Sequence, residues 1–181
     1  MLSSSMPFAY DIKDQGALHF LTFTVHQWVD VFTRQQYAAI YLDSLLHCQQ
    51  EKGLLIYGWV VMTNHVHLMA RATQNNLSDI IRDHKKFTAK KIVAAIAANE
   101  RESRREWLLQ LLQYNGHVWF WEEGYHGEAV YSEPFFLSKL SYLHQNPVRA
   151  GIVDKATDYL QSSAADYAGI RKGRLPIFGL V

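Results

Sequence analysis

The chain has 181 residues, of which 18 are Lys or Arg and 17 are Asp or Glu, so its formal net charge is +1. Hydrophobic residues make up 49% and charged residues 19%, a balance that excludes a disordered polar chain and can supply a buried core. The one cysteine, Cys48, excludes a disulfide framework and a multi-cysteine metal site. Near neutrality also argues against a nucleic-acid-binding domain, which usually has an excess of basic residues.

The length favours a single domain over residues 1–181, with a core at about 17–153 and a C-terminal extension at about 154–181. No apolar run approaches the ~18 residues of a membrane span. The start, MLSSSMPFAYDIKD, lacks the basic and apolar regions of a secretion signal. We therefore expect a cytoplasmic protein.

The charge is unevenly distributed along the chain. Residues 82–106 contain eight basic and four acidic side chains, whereas residues 107–137 contain four Glu and no Lys or Arg. A near-neutral total can therefore coexist with a basic surface, although a solvated helix face explains such a cluster equally well.

Hydrophobic periodicity predicts the elements in chain order. Apolar and polar residues alternate over residues 19–28, which predicts a strand, and residues 34–52 have the apolar spacing of a helix that Gly53 ends. Residues 54–61 and 65–72 are predicted as two strands joined by a short turn. A long helix follows at about 77–98, and a further helix at 104–114 is an option before an Asn115-Gly116 turn. A short strand near 127–131 precedes a helix that starts at 132–134 and that Pro147 is expected to end. The order β-α-β-β-α-β-α predicts an α+β fold, a ferredoxin-like antiparallel sheet packed by helices, with one added C-terminal helix.

Two histidines stand out in the third strand. Because His65 and His67 are two residues apart, their side chains leave the same face of the sheet, while Val66, Leu68 and Ala70 leave the packed face. Two adjacent imidazoles are a pair of metal ligands that needs a third group. Ordinary hydrogen bonding explains such a pair as well, so the pattern alone is weak.

Tyr142 and Asn146 are four residues apart and share one face of the last helix. Taken alone, a packed tyrosine and a helix-end asparagine explain them. Together with His65 and His67 they suggest a metal that polarises a phosphodiester beside a tyrosine nucleophile. A free tyrosine has a pKa of about 10, so its ionisation at pH 7 costs about 4 kcal/mol, which a Lewis acid can offset.

Three blocks carry a family resemblance: YGWVVMTNHVHLMA, WFWEEGYHGEAVYS and LSKLSYLHQNPVRAGIV. They resemble the REP-associated tyrosine transposases, a branch of the single-tyrosine HUH transposases. The resemblance implies an RRM-related nuclease domain that acts on single-stranded DNA and recognises hairpins. It also implies Mg²⁺ or Mn²⁺ held by His65, His67 and Asn146, and Tyr142 as a nucleophile that forms a 5′-phosphotyrosine.

The resemblance has further implications for assembly and for the third ligand. In the branch, a monomer that uses its own tyrosine is favoured over a homodimer that exchanges tyrosines. Insertion-sequence relatives usually have Gln where Asn146 stands, and we interpret the Asn as a mark of the branch. The chain is then expected to be associated with the nucleoid.

The remaining candidates would contact DNA outside the reaction centre. Lys86 and Lys90 are predicted backbone contacts, with a solvated helix face as the alternative. Arg149 is a candidate phosphate ligand, although an arginine in the last helical turn also suits the helix dipole. Trp119 and Trp121 are candidates for stacking on unpaired bases, with core packing as the alternative.

Two other functions stay open at this stage. One is a catalytically inactive, RRM-like module that binds single-stranded nucleic acid on its sheet. The other is a structural zinc site built from His65, His67 and another histidine, which would leave Tyr142 without a role. Thr22, Thr24 and His26 share one face of the first strand and would neighbour the histidine pair if the two strands are adjacent.

Overall fold

The computed structural model describes residues 12–180. The strands of the main sheet are β1 (His19–Thr24), β2 (Leu54–Val61), β3 (His65–Ala72) and β6 (His126–Ala129), and a small hairpin contains β4 (Gln113–Tyr114) and β5 (His117–Val118). The helices are α1 (Gln35–Glu51), α2 (Leu77–Ala98), α3 (Arg105–Leu112), α4 (Glu133–Arg149) and α5 (Ala164–Tyr167), with 3₁₀ turns at His26–Trp28 and Ala156–Asp158. In this part of the chain, no helix is both long and apolar enough to cross a membrane.

The main sheet has the strand order β2-β3-β1-β6, and each neighbouring pair is antiparallel. The predicted α+β fold, an antiparallel sheet packed by helices, is therefore confirmed. Strands β2 and β3 and helix α2 have the predicted bounds.

Alternation along β3 separates the two faces of the sheet. Val66 and Leu68 are fully buried in the larger core, beneath α1 and α2. On the opposite face, Met69 packs with Leu140 and Leu143 of α4 in a second, smaller core. The helix that holds Tyr142 therefore lies on the same face as the side chains of the histidine pair.

Gly58 lets α4 approach this face closely. It follows an irregularity in the β2–β3 register, and a Cβ placed on it would lie 2.7 Å from Cδ1 of Leu140. Since non-bonded carbon atoms need more room than that, a Cβ at this position would force the Leu140 side chain or α4 to shift.

The segment after α4 bonds both to the edge strand β2 and to the helix itself. Ser162 forms a bridge to Val60, and the Ser163 amide donates to the Trp59 carbonyl over 3.0 Å. The Ser163 hydroxyl also lies 2.9 Å from Nε2 of His144, on α4. His144 thus has a structural contact on a different side of the helix from Tyr142, as its two-residue offset predicts.

Three predicted boundaries are wrong. The first strand ends at Thr24 and not at residue 28, because the chain turns at Gln27 and Trp28, whose φ angles are 53° and 56°. The optional helix at 104–114 ends at Leu112 and is followed by a hairpin around the predicted Asn115-Gly116 turn. The last strand occupies His126–Ala129 and not residues 127–131.

Helix α4 continues through Pro147 to Arg149, so the expectation that Pro147 ends it is also wrong. A proline in the last turn removes only one backbone hydrogen bond. Its ring is buried, and its carbonyl accepts from the amide of Ile152 over 2.9 Å. Burial of the ring and these late bonds hold the final turn in place.

Candidate functional site

The histidine pair is anchored by groups on both sides of it. The β1–β3 register places Thr22 opposite His67, and the Thr22 hydroxyl lies 2.8 Å from His67 Nδ1. His65 Nδ1 lies 2.8 Å from the side-chain oxygen of Asn64. The two imidazole centroids are 4.9 Å apart, so both Nε2 atoms belong to one small region. The expected adjacency of the first strand is confirmed.

The Asn64 amide fixes the proton position on His65. Its nitrogen donates to the Trp28 carbonyl over 3.2 Å and to the Asp30 carboxylate over 3.1 Å, which orients the amide oxygen toward His65. Because that oxygen only accepts, Nδ1 of His65 is the protonated nitrogen and Nε2 keeps its lone pair. This is the tautomer that a metal-binding histidine needs.

His67 presents a buried and unpartnered nitrogen. Its side chain is 5% exposed, and among residues 12–180 its Nε2 has no hydrogen-bond partner. Burial lowers the pKa of His67 to about 3, and the nearby charges of His65, Arg149 and Lys139 add to that effect. Burial likewise lowers the pKa of His65. Both imidazoles are therefore neutral at pH 7, as metal ligands must be.

Tyr142 stands beside this pair in the same chain. Its ring centroid is 5.4 Å from that of His67 and 6.0 Å from that of Phe20, and both contacts are edge-to-face. The side chain is 45% exposed, so its hydroxyl is accessible to a large substrate. A serine N-cap, Ser132, and a proline in the first turn start the helix that supports it.

Arg149 lies over the ring of Tyr142. The guanidinium carbon is 4.4 Å from the ring centroid, and the group donates to the Tyr142 carbonyl over 2.9 Å. Since Arg149 also acts on the pKa of His67, its positive charge belongs to the same site. The structure thus brings His65, His67, Tyr142 and Arg149 together. Asn146 lies one turn after Tyr142 on the same helix face and is half-buried.

The donor set fits a divalent ion. His67 Nε2 is a buried donor without a partner, His65 offers the matching nitrogen, and the Asn146 side chain can add an amide oxygen. Among the described residues, no three His, Cys, Asp or Glu side chains converge, so a zinc site made of the pair and another histidine finds no third ligand.

Four predicted DNA contacts lie outside this cluster. Lys86 and Lys90 are exposed on α2, which covers the opposite face of the sheet, so the structure does not bring them to the histidines. Trp119 is 53% exposed near the small hairpin, and its role in stacking stays a prediction.

Trp121 is partly buried and packs against the larger core, and its role as a stacking residue stays a prediction. Its ring contacts Phe23, Phe32, Tyr41 and Phe120, and its indole nitrogen donates to the Thr88 hydroxyl over 3.3 Å.

Sequence reasoning missed two residues of the site, Asn64 and Trp28. Asn64 was assigned only to a turn, although it directly precedes the first histidine. Trp28 was placed at the end of a strand, whereas its indole is 60% exposed beside His65. His126 lies opposite Thr22 in the β1–β6 register and therefore also faces this side of the sheet.

The match to a family model places the chain in the transposase class. A family model described as "Transposase IS200 like" matches residues 15–135, more than half of the chain. The chain belongs to the IS200-like transposase family. The matched part includes the histidine pair and ends before Tyr142.

Two solved structures are similar to the chain, and the first of them supports the fold. A REP-associated tyrosine transposase bound to a REP hairpin superposes with a TM-score of 0.64 at 17% identity, covering 99% of this chain and 96% of that one. A protein described as a transposase of Deinococcus radiodurans matches with a TM-score of 0.45 at 18% identity, covering 80% of this chain and 97% of that one. No curated protein matches the chain.

Proposed function

We propose that the protein is a metal-dependent endonuclease and strand transferase for single-stranded DNA, with Tyr142 as its nucleophile. The observation that carries the proposal is the buried, unpartnered Nε2 of His67, whose ring lies 5.4 Å from the Tyr142 ring of the same chain. The Nε2 of His84 is also buried and unpartnered, but its ring packs against the fully buried Tyr41, whereas His67 lies 4.9 Å from a second imidazole and beside a half-exposed tyrosine. A monomer is favoured, since one chain supplies the histidine pair and the tyrosine.

The chain's own residues orient the reacting groups. Thr22 and Asn64 fix the two imidazole rings, and α4 holds Tyr142 beside them. Arg149 adds a positive charge that can neutralise a phosphate oxygen. Its contact with the Tyr142 ring also limits how that side chain can rotate.

Cleavage exchanges one ester bond for another. The Tyr142 oxygen bonds to phosphorus, the bond from phosphorus to the 3′ oxygen breaks, and a 5′-phosphotyrosine and a free 3′-OH result. The phenolic proton passes to solvent, which the half-exposed side chain reaches, and the departing 3′ oxygen gains a proton. Attack by another 3′-OH reverses the step and joins the strands, so no nucleotide cofactor is needed.

The metal site would consist of His65, His67 and Asn146. A bound Mg²⁺ or Mn²⁺ would supply Lewis-acid stabilisation of the charge that develops on the phosphate.

The proposed substrate is single-stranded DNA that contains a hairpin. The REP hairpin bound by the structurally similar transposase supports this choice. The exposed Lys86 and Lys90 are proposed contacts to the DNA backbone. They lie on α2, on the face of the sheet opposite the histidine pair, where only a substrate that extends beyond the site would reach them.

One assay tests the reaction. The protein is incubated with a panel of labelled hairpin-bearing single strands and Mn²⁺, and the products are separated on a denaturing gel. We expect a protein–DNA adduct and a nick with the wild type and with Tyr114→Phe, whose tyrosine is exposed on the small hairpin. Tyr142→Phe and His67→Ala should lose both products.

The other outcomes decide against the proposal. If DNA is bound but neither adduct nor nick forms across the panel, the inactive RRM-like binding module is the better description. An adduct that survives in Tyr142→Phe would assign the nucleophile to a different residue.

A further inference from the structure

The turn after β1 presents an aromatic side chain to solvent. Trp28 is 60% exposed, although burial would be the more favourable state for an indole of this size. Gln27 and Trp28 both have positive φ angles, 53° and 56°, which are rare for residues with bulky side chains. Consecutive residues in this region persist only where the surrounding structure imposes them.

Three contacts impose this backbone. The Gln27 amide donates to the Glu122 carboxylate over 2.6 Å, and the Trp28 carbonyl accepts from the Asn64 side chain over 3.2 Å. The Trp28 amide donates to the Val25 carbonyl over 2.9 Å. The ring is thus displayed on a rigid support and not on a loose loop.

The same support connects the indole to the candidate metal ligands. Asn64 holds the Trp28 carbonyl with its nitrogen and His65 Nδ1 with its oxygen. The indole centroid lies 5.7 Å from that of His65, and the two ring planes make an angle of 62°. The ring centroids of His65 and His67 are 4.9 Å apart, and the centroid of Tyr142 is 5.4 Å from that of His67. Trp28 and Tyr142 therefore stand at the two ends of a series of ring contacts that passes through the histidine pair.

We propose that the indole of Trp28 is a stacking site for an unpaired nucleobase next to the phosphate that the histidine pair binds. This inference rests on the proposed function, because it takes single-stranded DNA as the ligand. A base within a duplex already has stacked neighbours, whereas an unpaired base offers a free face. The indole would hold the strand next to the phosphate that Tyr142 attacks.

A comparison of DNA-binding affinities between variants tests the site without relying on cleavage. All proteins carry Tyr142→Phe, so the DNA stays intact. The probes are a fluorescein-labelled oligothymidylate of about 20 nucleotides, longer than the ~4–16 nucleotides of one typical site, and an abasic chain of equal length. Anisotropy titrations compare Trp28→Ala with Trp107→Ala, a matched control because Trp107 is 49% exposed on α3.

We expect Trp28→Ala to weaken oligothymidylate binding by about 5- to 150-fold, the fold-change that corresponds to the loss of one stacked base. Binding of the abasic chain should not change, and Trp107→Ala should match the parent with both probes. Equal losses on both probes, or no loss on oligothymidylate, would overturn the proposal. Absence of parent binding to oligothymidylate would overturn it as well.

A second variant separates stacking from folding. Glycine adopts a φ of +56° without a Cβ clash, so Trp28→Gly should melt at or above the parent temperature and still lose affinity for oligothymidylate. A lower melting temperature with unchanged affinity would assign Trp28 a structural role. Failure of the Tyr142 adduct in the cleavage assay, with the base-dependent binding intact, would reject the nuclease and retain the stacking site.

Discussion

The hydroxyl of Thr22 lies 2.8 Å from Nδ1 of His67, on the neighbouring strand of the sheet. This contact leaves the other ring nitrogen of His67 buried and directed away from β1. Hydrogen bonds of this kind orient metal-binding histidines, and their loss typically costs 10- to 100-fold in metal affinity or activity, an order-of-magnitude range.

Thr22→Val, which keeps the side-chain shape, should therefore lower Mn²⁺ affinity by about 10- to 100-fold. Thr24→Val is the matched control, because Thr24 lies opposite His65, whose Nδ1 is held by Asn64 instead. Calorimetric titration with Mn²⁺ measures both variants. Equal affinity in Thr22→Val and the wild type would exclude an orienting role for the hydroxyl.

Gly58 controls the distance between the tyrosine helix and the sheet. In Gly58→Ala, the new Cβ would lie 2.7 Å from Cδ1 of Leu140, so α4 must move or the side chain must leave its rotamer. Overpacking of this kind costs about 1–3 kcal/mol. We expect a lower free energy of unfolding in urea and a weaker Tyr142 adduct.

The double variant Gly58→Ala/Leu140→Ala checks this cause. Shortening Leu140 removes the clash, so its cost should be smaller in the Gly58→Ala background than in the wild type, giving a favourable coupling energy. Additive costs would place the effect of the alanine elsewhere, for example in the backbone of β2.

The prediction of the fold from the sequence succeeded where the signal was local. The alternation of β3 and the helical stripe of α2 depend on neighbours within a few residues, and both elements have their predicted bounds. The turn at Gln27 depends on Glu122, which is 95 residues away, and no local pattern contains that contact. At Pro147 a local rule fails: a proline is expected to end a helix, but burial of its ring lets α4 continue to Arg149.

Only part of the site could be predicted, because local patterns do not contain the long-range packing that brings its residues together. Periodicity paired His65 with His67 and Tyr142 with Asn146, but only the packing of α4 on the sheet places Tyr142 beside His67. Residue type alone did not reveal the exposure of the tryptophans: Trp121 is partly buried against the larger core, whereas Trp28, which the strand pattern places at the end of the first strand, is 60% exposed.

The donor types predict a preference between the two candidate metals. Mg²⁺ is usually bound through oxygen ligands and waters, whereas His65 and His67 offer nitrogen. Mn²⁺ should therefore support adduct formation at a concentration on the order of tenfold lower than Mg²⁺. Titration of each metal in the gel assay measures this ratio, and equal potency would argue against two imidazole ligands.

His84 makes stability depend on pH. It is fully enclosed between α1 and α2, where its Nδ1 lies 2.8 Å from the Ser44 hydroxyl. Burial lowers its pKa to about 3, with smaller contributions from Lys52 and Lys85, whereas an unfolded histidine titrates near about 6.5. The unfolded state therefore binds the proton more readily, so the free energy of unfolding falls as the pH drops below about 6.5.

The slope contributed by one such histidine is up to about 1.4 kcal/mol per pH unit, and it extends down to the pKa of the folded state. Urea unfolding between about pH 7 and about pH 5 should show a shallower pH dependence in His84→Gln than in the wild type, whatever its stability at pH 7. His117→Gln should keep the wild-type slope, because His117 is exposed on β5 and reaches water in both states. An unchanged slope in His84→Gln would mean that His84 is charged, or reaches solvent, in the folded protein.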